Sequence, residues 1–189
     1  TKANSTLTVN GNVSFDYNNK GSTTVNFTNA TGVVAEVIGK PNATVVVEND
    51  TITVSGLDAG NYVLSVTTIT DGNHNNVSET VNVTVNKAKT VLAAKTVNAV
   101  YNVNKNLVIT LKDSTGKSVS GVKITVKLKG TKTYTTDKKG QVKINVAKLV
   151  PKKYTAKVTF AGNSNYLKST ANVKVTVKKA KAKITAKKT

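Results

Sequence analysis

Eight asparagines stand two residues before a Ser or Thr: Asn4, Asn12, Asn26, Asn29, Asn42, Asn49, Asn76 and Asn82. This is the acceptor pattern for N-linked glycosylation, which needs an exposed amide and a hydroxyl two residues on. All eight precede position 87, whereas 88–179 contains eight Asn and no such pattern. A Thr- and Asn-rich chain also produces the pattern by chance, although composition accounts for fewer than are found. The eight are therefore candidates, conditional on export.

A second set is cationic. Lys123, Lys127, Lys129, Lys153, Lys157, Lys174 and Lys178 alternate with other residues in three apolar-periodic stretches, 122–129, 153–160 and 171–178. If those stretches are neighbouring strands, their outward positions gather the seven lysines on one face, rimmed by Lys152 and Lys168. Such a face attracts a polyanion, for example an anionic wall polymer or a surface glycan of the same or a neighbouring cell. The competing reading, a solvated face that protects a sheet from edge pairing, is the one the sequence favours. Specific nucleic-acid binding is not expected. All 28 basic residues are Lys, so no Arg is available for bidentate contacts, and no aromatics interleave with the lysines for stacking.

Other candidates are weaker. Asp71-Gly72-Asn73-His74-Asn75-Asn76 superficially resembles the start of a calcium loop. Ala161-Gly162-Asn163-Ser164-Asn165-Tyr166 keeps the same Gly-Asn framework without a carboxylate, so turn geometry is the better account. His74 is the sole histidine, and no Ser–His–Asp arrangement can be built after position 88. A Lys–Asn isopeptide cross-link needs a buried acid, and the second half offers only Asp113 and Asp137, both in turn sequences. Tyr17, Tyr101, Tyr134 and Tyr166 fall near loops or strand ends, where packing over a sandwich end is preferred to sugar stacking. No catalytic residue, cofactor or metal site is expected, and an enzyme is the least expected class.

The elements that must position these residues are strands. Val, Ile, Thr and Tyr alternate with period two, and turn residues recur every eight to twelve positions. Strands are expected near 6–9, 12–17, 22–28, 33–38, 43–48, 51–55, 61–68 and 78–85. A second series falls near 90–94, 106–112, 122–129, 131–136, 141–147, 153–160 and 170–178. Asn49-Asp50 reads as a two-residue hairpin turn. Asp113-Ser114-Thr115-Gly116 and Asp137-Lys138-Lys139-Gly140 read as turns with an Asp acceptor and a glycine of positive φ.

The series repeats. Leu57 and Leu149, Tyr62 and Tyr154, and Val83 and Val175 are each 92 positions apart. Each tyrosine opens the penultimate strand of its copy, the position of a tyrosine corner. The reading is all-β: two tandem immunoglobulin-like β-sandwich domains, 1–87 and 88–179, with 180–189 as a tail or the start of a further repeat. The copies differ sharply in charge. Residues 1–86 hold three lysines against seven carboxylates, net −4, and residues 87–189 hold 25 lysines against two, net +23. Cys, Met and Trp are absent, which excludes disulfides and Cys-based metal sites. No apolar run approaches the about 18 residues of a membrane span. With no initiator Met and no signal segment, the piece is expected to be excised or processed, its anchor lying elsewhere.

The stretch Thr136-Asp137-Lys138-Lys139-Gly140-Gln141-Val142, followed by Leu149-Val150-Pro151-Lys152-Lys153-Tyr154 and continuing through Ala161-Gly162-Asn163-Ser164-Asn165-Tyr166, resembles bacterial Ig-like (Big) repeats. It is most similar to those of the large adhesin-like surface proteins of methanogenic archaea. The resemblance covers nearly all of 88–179. The first copy keeps Gly56-Leu57 through Val85 but has Asn49-Asp50 in place of the Asp-x-x-Gly turn. What the resemblance implies is an exported, cell-surface, multi-domain stalk or adhesin with no catalytic residues; the excised piece is expected to be a monomer. With almost no linker between copies, the array is expected to be extended and fairly stiff. The alternative function is a binding module for an anionic polymer on the lysine face.

Overall fold

The computed structural model describes residues 2–182. Among them are eighteen strands and no helix. The chain divides into two compact units, one running through Ala88 and taking in Ser164–Tyr166, the other built on Lys89–Asn163 and the residues from Leu167 onward. Of the stretch 180–189, expected as a tail or the start of a further repeat, residues 183–189 lie outside the described residues.

The first domain contains β1 (Ala3–Asn4), β2 (Thr6–Val9), β3 (Val13–Asp16), β4 (Lys20–Thr28), β5 (Gly32–Val37), β6 (Thr44–Glu48), β7 (Thr51–Ser55), β8 (Gly60–Ile69), β9 (His74–Asn75) and β10 (Ser78–Asn86). Two four-stranded sheets, β2-β4-β7-β6 and β3-β10-β8-β5, enclose the core, and β1 pairs with β9 beside them. The second domain contains β11 (Thr90–Ala94), β12 (Val97–Val100), β13 (Asn106–Asp113), β14 (Lys123–Lys127), β15 (Thr131–Thr135), β16 (Gln141–Asn145), β17 (Lys153–Phe160) and β18 (Ser169–Lys178). Its sheets are β11-β13-β16 and β12-β18-β17-β14-β15. Both domains are immunoglobulin-like β-sandwiches.

Period-two alternation explains how each sheet buries one face. In β17, Ala156, Val158 and Phe160 are buried while Lys153, Thr155 and Lys157 are exposed. The core of the first domain is built the same way, around Val25, Ile52, Val54, Leu64, Val66 and Val83. The final hairpin has one register in both copies. Asn61 faces Thr84 across β8 and β10, and Lys153, 92 positions on, faces Thr176 across β17 and β18.

The copies part company at one strand. In the first domain β6 pairs with β7, in the sheet opposite β5. In the second, β15 pairs with β14 and enlarges the other sheet to five strands. Loop chemistry accounts for the switch. Between β14 and β15 lie only Leu128, Lys129 and Gly130, and Gly130 has φ +81°, the left-handed residue a three-residue hairpin needs. Between β5 and β6 lie six residues, including Gly39 at φ +69° and Pro41, long enough to cross to the other sheet. The Asn49-Asp50 turn, with φ of 47° and 60°, then closes β6 on β7 as a type I′ hairpin. A consequence is that β5 is a sheet edge, whereas its counterpart β14 is covered.

Strand β12 was not anticipated. It has only four residues, but Val97 and Ala99 are buried and alternate with exposed Asn98 and Val100. The equivalent β3 lies within the expected strand 12–17.

Candidate functional site

Strands β18, β17 and β14 are consecutive in the five-stranded sheet, which brings the lysines together. Lys127 on β14 faces Lys157 on β17, and Lys157 faces Asn172 on β18, forming one rung across three strands. Lys174 faces Thr155, and Lys153 faces Thr176. All six strand lysines, these four with Lys123 and Lys178, are exposed. Lys129 lies beyond the end of β14, in the hairpin loop. None of the six is within ion-pair distance of a carboxylate among the described residues. Directly opposed like charges such as Lys127 and Lys157 repel rather than stabilise a sheet. Lys152, expected on the rim, is held over the Tyr154 ring, its Nζ 5.0 Å from the centroid.

The carboxylates of this domain are engaged in turns. Asp137 Oδ1 accepts hydrogen bonds from the backbone N–H of Lys139 and Gln141, at 2.8 and 2.9 Å. The Gln141 bond, above all, holds the Asp137 carboxyl below its usual range, with Lys139 and Lys143 adding to the effect. Asp113 is not only a turn residue but buried. Its Oδ1 accepts from the Thr115 and Lys117 N–H groups, both at 3.0 Å, and from the Thr115 hydroxyl at 2.6 Å. Asp113 ends β13 on the inward phase of Leu107, Ile109 and Leu111, opposite Thr90; the expected strand 106–112 stops one residue short and so leaves this acid in the turn.

In the first domain all eight sequon asparagines are exposed: Asn4, Asn12, Asn26, Asn29, Asn42, Asn49, Asn76 and Asn82. Asn29 and Asn49 occupy left-handed turn positions, at φ 55° and 47°. Asn12 Oδ1 accepts the Asn82 N–H at 2.9 Å, which sets two sequons side by side, one just before β3 and one on β10. The Asp71 loop forms an Asx turn, Oδ1 accepting from Asn73 N–H at 2.9 Å, with Gly72 at φ +87°. That bond, and a 3.4 Å contact with the His74 ring, hold the Asp71 carboxyl below its usual range. Among the described residues no three His, Cys, Asp or Glu side chains converge as a metal site would require. Tyr17 and Tyr166 pack edge to face, ring centroids 5.3 Å apart.

No family model matches the chain, and no curated protein matches it. Solved structures do match. The fibronectin(III)-like modules of Clostridium thermocellum CbhA are 14% identical, covering 97% of this chain and 100% of that one, at a TM-score of 0.38. Domains 4 and 5 of the S-layer protein SbsC are 16% identical over 94% and 98%, at 0.37. Immunoglobulin domains 1–5 of Sidekick-1 are 9% identical over 94% and 40%, at 0.49.

Both tyrosines expected at corners make the corner bond. Tyr62 donates its hydroxyl proton to the Asp58 carbonyl at 2.8 Å, and Tyr154 to the Val150 carbonyl at 2.7 Å, each four residues back. Tyr154→Phe is expected to cost the second domain about 1 kcal/mol, the worth of one such bond. Urea denaturation should show it as a lower midpoint at unchanged slope. A groove of about 520 Å³ lies where the chain passes from β11 to β12, between Ala93, Val97 and Val108, with Lys95 and Lys105 at its margin. It brings together no set of groups that could carry out a reaction.

Proposed function

We propose that these domains are non-catalytic spacer repeats of an exported, adhesin-like cell-surface protein, of the kind built from bacterial Ig-like repeats in archaea. The observation that carries this reading is repetition with little slack. The closing hairpin keeps its register under a shift of 92 residues, and only Lys87, Ala88 and Lys89 separate β10 from β11. A compact module that follows its predecessor after three residues serves to build length. Exposed sequons, in a chain without Cys or Met, suit an extracellular setting. The chemistry argues in the same direction, since the single histidine sits in the two-residue strand β9 against Asp71, with no nucleophile positioned by it among the described residues. No helix of the described residues is long and apolar enough to cross a membrane. The lysine face of the second domain supports a second role in attachment to anionic surface polymers.

Small-angle scattering of the 189-residue chain tests the spacer role. The expected maximum dimension is close to twice that of one domain. A particle little longer than a single domain would overturn the reading. Intact mass and peptide mapping of protein from its native source should find glycan on the first domain and none on the second. Unmodified asparagine at all eight sequons would remove glycosylation from the account.

A further inference from the structure

The two domains provide an internal comparison for the lysine face. Their shared register pairs each position of β17 and β18 with one of β8 and β10, and β14 with β5. Where the second domain has the rung Lys127, Lys157, Asn172, the first has Glu36, Ser65, Thr80. Lys153, Lys174 and Lys178 correspond to Asn61, Asn82 and Asn86, and Lys123 to Gly32. The same sheet therefore forms with no lysine at any of these six points, and with a carboxylate at one. Neither the fold nor protection of the sheet requires them. Edge protection in particular cannot explain Lys157, which β17 holds between Lys127 of β14 and Asn172 of β18.

The lysines also follow a line. Measured along β17, Lys178 lies two residues before the level of Lys153, Lys174 is level with Thr155, and Lys127 is level with Lys157. Lys123 lies four residues further along, past the end of β17. A cation thus recurs at every second residue over most of a band about 33 Å long, at about 3.3 Å per residue. The positions between them are polar: Thr125, Thr155, Thr159, Asn172 and Thr176, exposed or half-buried; the one exposed apolar neighbour among the strand partners, Val100 of β12, lies beside Lys178 at the end of the band. No aromatic or Arg interrupts the band, which disfavours stacked bases and bidentate phosphate contacts.

We infer that this outer face of β14, β17 and β18 binds a linear anionic polysaccharide laid along the strands. The ammonium groups meet its carboxylate or sulfate groups, and the Thr and Asn side chains meet its hydroxyls. This deepens the attachment role proposed above and does not depend on the spacer role. Opposed lysines that weaken the sheet are then retained because the ligand supplies the missing negative charge.

The test transfers the first domain's residues onto the full chain: Lys127→Glu, Lys153→Asn, Lys157→Ser, Lys174→Asn and Lys178→Asn. A control removes the same six units of charge elsewhere, by changing Lys95, Lys105, Lys112, Lys117, Lys138 and Lys143 to Gln. Binding is measured to polygalacturonate and to heparin at low and physiological salt, with neutral dextran and duplex DNA as comparators. The parent chain should bind at least one polyanion, with a steep loss on adding salt. The face variant should weaken binding about tenfold or more, and the control by less than about threefold. The face variant should also melt no lower than the parent. If it fails to fold, Lys157→Ser alone should still reduce binding and not lower the melting temperature. Equal losses in the face variant and the control, no binding to either polymer at low salt, or duplex DNA bound as tightly as the polysaccharides would each overturn the proposal. Scattering dimensions should be unchanged by the face variant, so the spacer role stands or falls separately.

Discussion

Gly140→Val is expected to leave the second domain largely unfolded at room temperature. Gly140 has φ +67°, a conformation a β-branched residue rarely tolerates. Space is the larger obstacle. A Cβ there would press on the Leu111 carbonyl oxygen and come within 3.2 Å of Val119 N and 3.3 Å of Ser118 Cβ. None of these can yield freely. Leu111 N–H donates to the Gly140 carbonyl at 2.8 Å, and Val119 N–H donates to the Leu111 carbonyl at 3.1 Å, so the crowded backbone is also bonded in place. Left-handed strain of about 1–2 kcal/mol adds to an overpacking cost of about 1–3 kcal/mol or more. The sum approaches the whole stability of a small domain, roughly 5 kcal/mol at the low end. Gly116 provides the comparison, because it has φ +85° but nothing within 4 Å of its notional Cβ. Gly116→Ala should therefore cost only about 1–2 kcal/mol, and Gly140→Ala clearly more. Denaturant unfolding, with hydrogen exchange read in β13, checks the ordering. Equal costs for the two alanine variants would refute the close-approach argument.

This glycine marks how far the sequence could be read. Asp137-Lys138-Lys139-Gly140 announces its turn because the Asp acceptor and the left-handed glycine are local requirements, and both are met. Alternation likewise assigns the faces of β14, β17 and β18 without knowledge of their partners. That Gly140 also lies against the Leu111 carbonyl is a contact between segments far apart in sequence, and no local pattern carries it. The strand switch was not legible. The expected strands left four residues after 33–38 and one after 122–129, and which sheet the following strand joins depends on where the actual loops of six and three residues can reach. Individual lysines could be placed on a face, yet the Lys127–Lys157 rung depends on the register between strands thirty residues apart. That register also exposes the substitution of Glu36 and Ser65 at the same points, which composition by halves reports only as a difference in charge.

Phe160→Ala is expected to be the costliest single truncation in the second domain, at about 3–5 kcal/mol. Phe160 is among the largest fully enclosed side chains, and it faces Ile124 across β14 and β17. Its counterpart 92 positions earlier is Thr68, equally buried, facing Val33 across β5 and β8. One lattice point is thus filled in two ways. In the second domain an aromatic ring supplies volume. In the first, the Thr68 hydroxyl accepts the Val77 N–H and meets the Ser5 hydroxyl, both at 2.9 Å, and Ser5 in turn donates to the Asn75 carbonyl at 2.9 Å. That network ties the chain next to β1 and β9 onto the sandwich; in the second copy Ala88 makes the corresponding parallel bridge to Tyr166, and the Thr90 hydroxyl donates to the Leu167 carbonyl at 3.0 Å, with Ser169 in place of a buried threonine as its hydroxyl partner. Thr68→Val keeps the shape but leaves the Val77 N–H without its side-chain acceptor, so about 1–3 kcal/mol should be lost. Thr68→Phe should lose more, because the space is occupied by the segment that carries Ser5. Thermal unfolding should rank the parent first, then Thr68→Val, then Thr68→Phe. A Thr68→Phe variant as stable as the parent would mean that the two cores are interchangeable at this point and that the hydroxyl network contributes nothing.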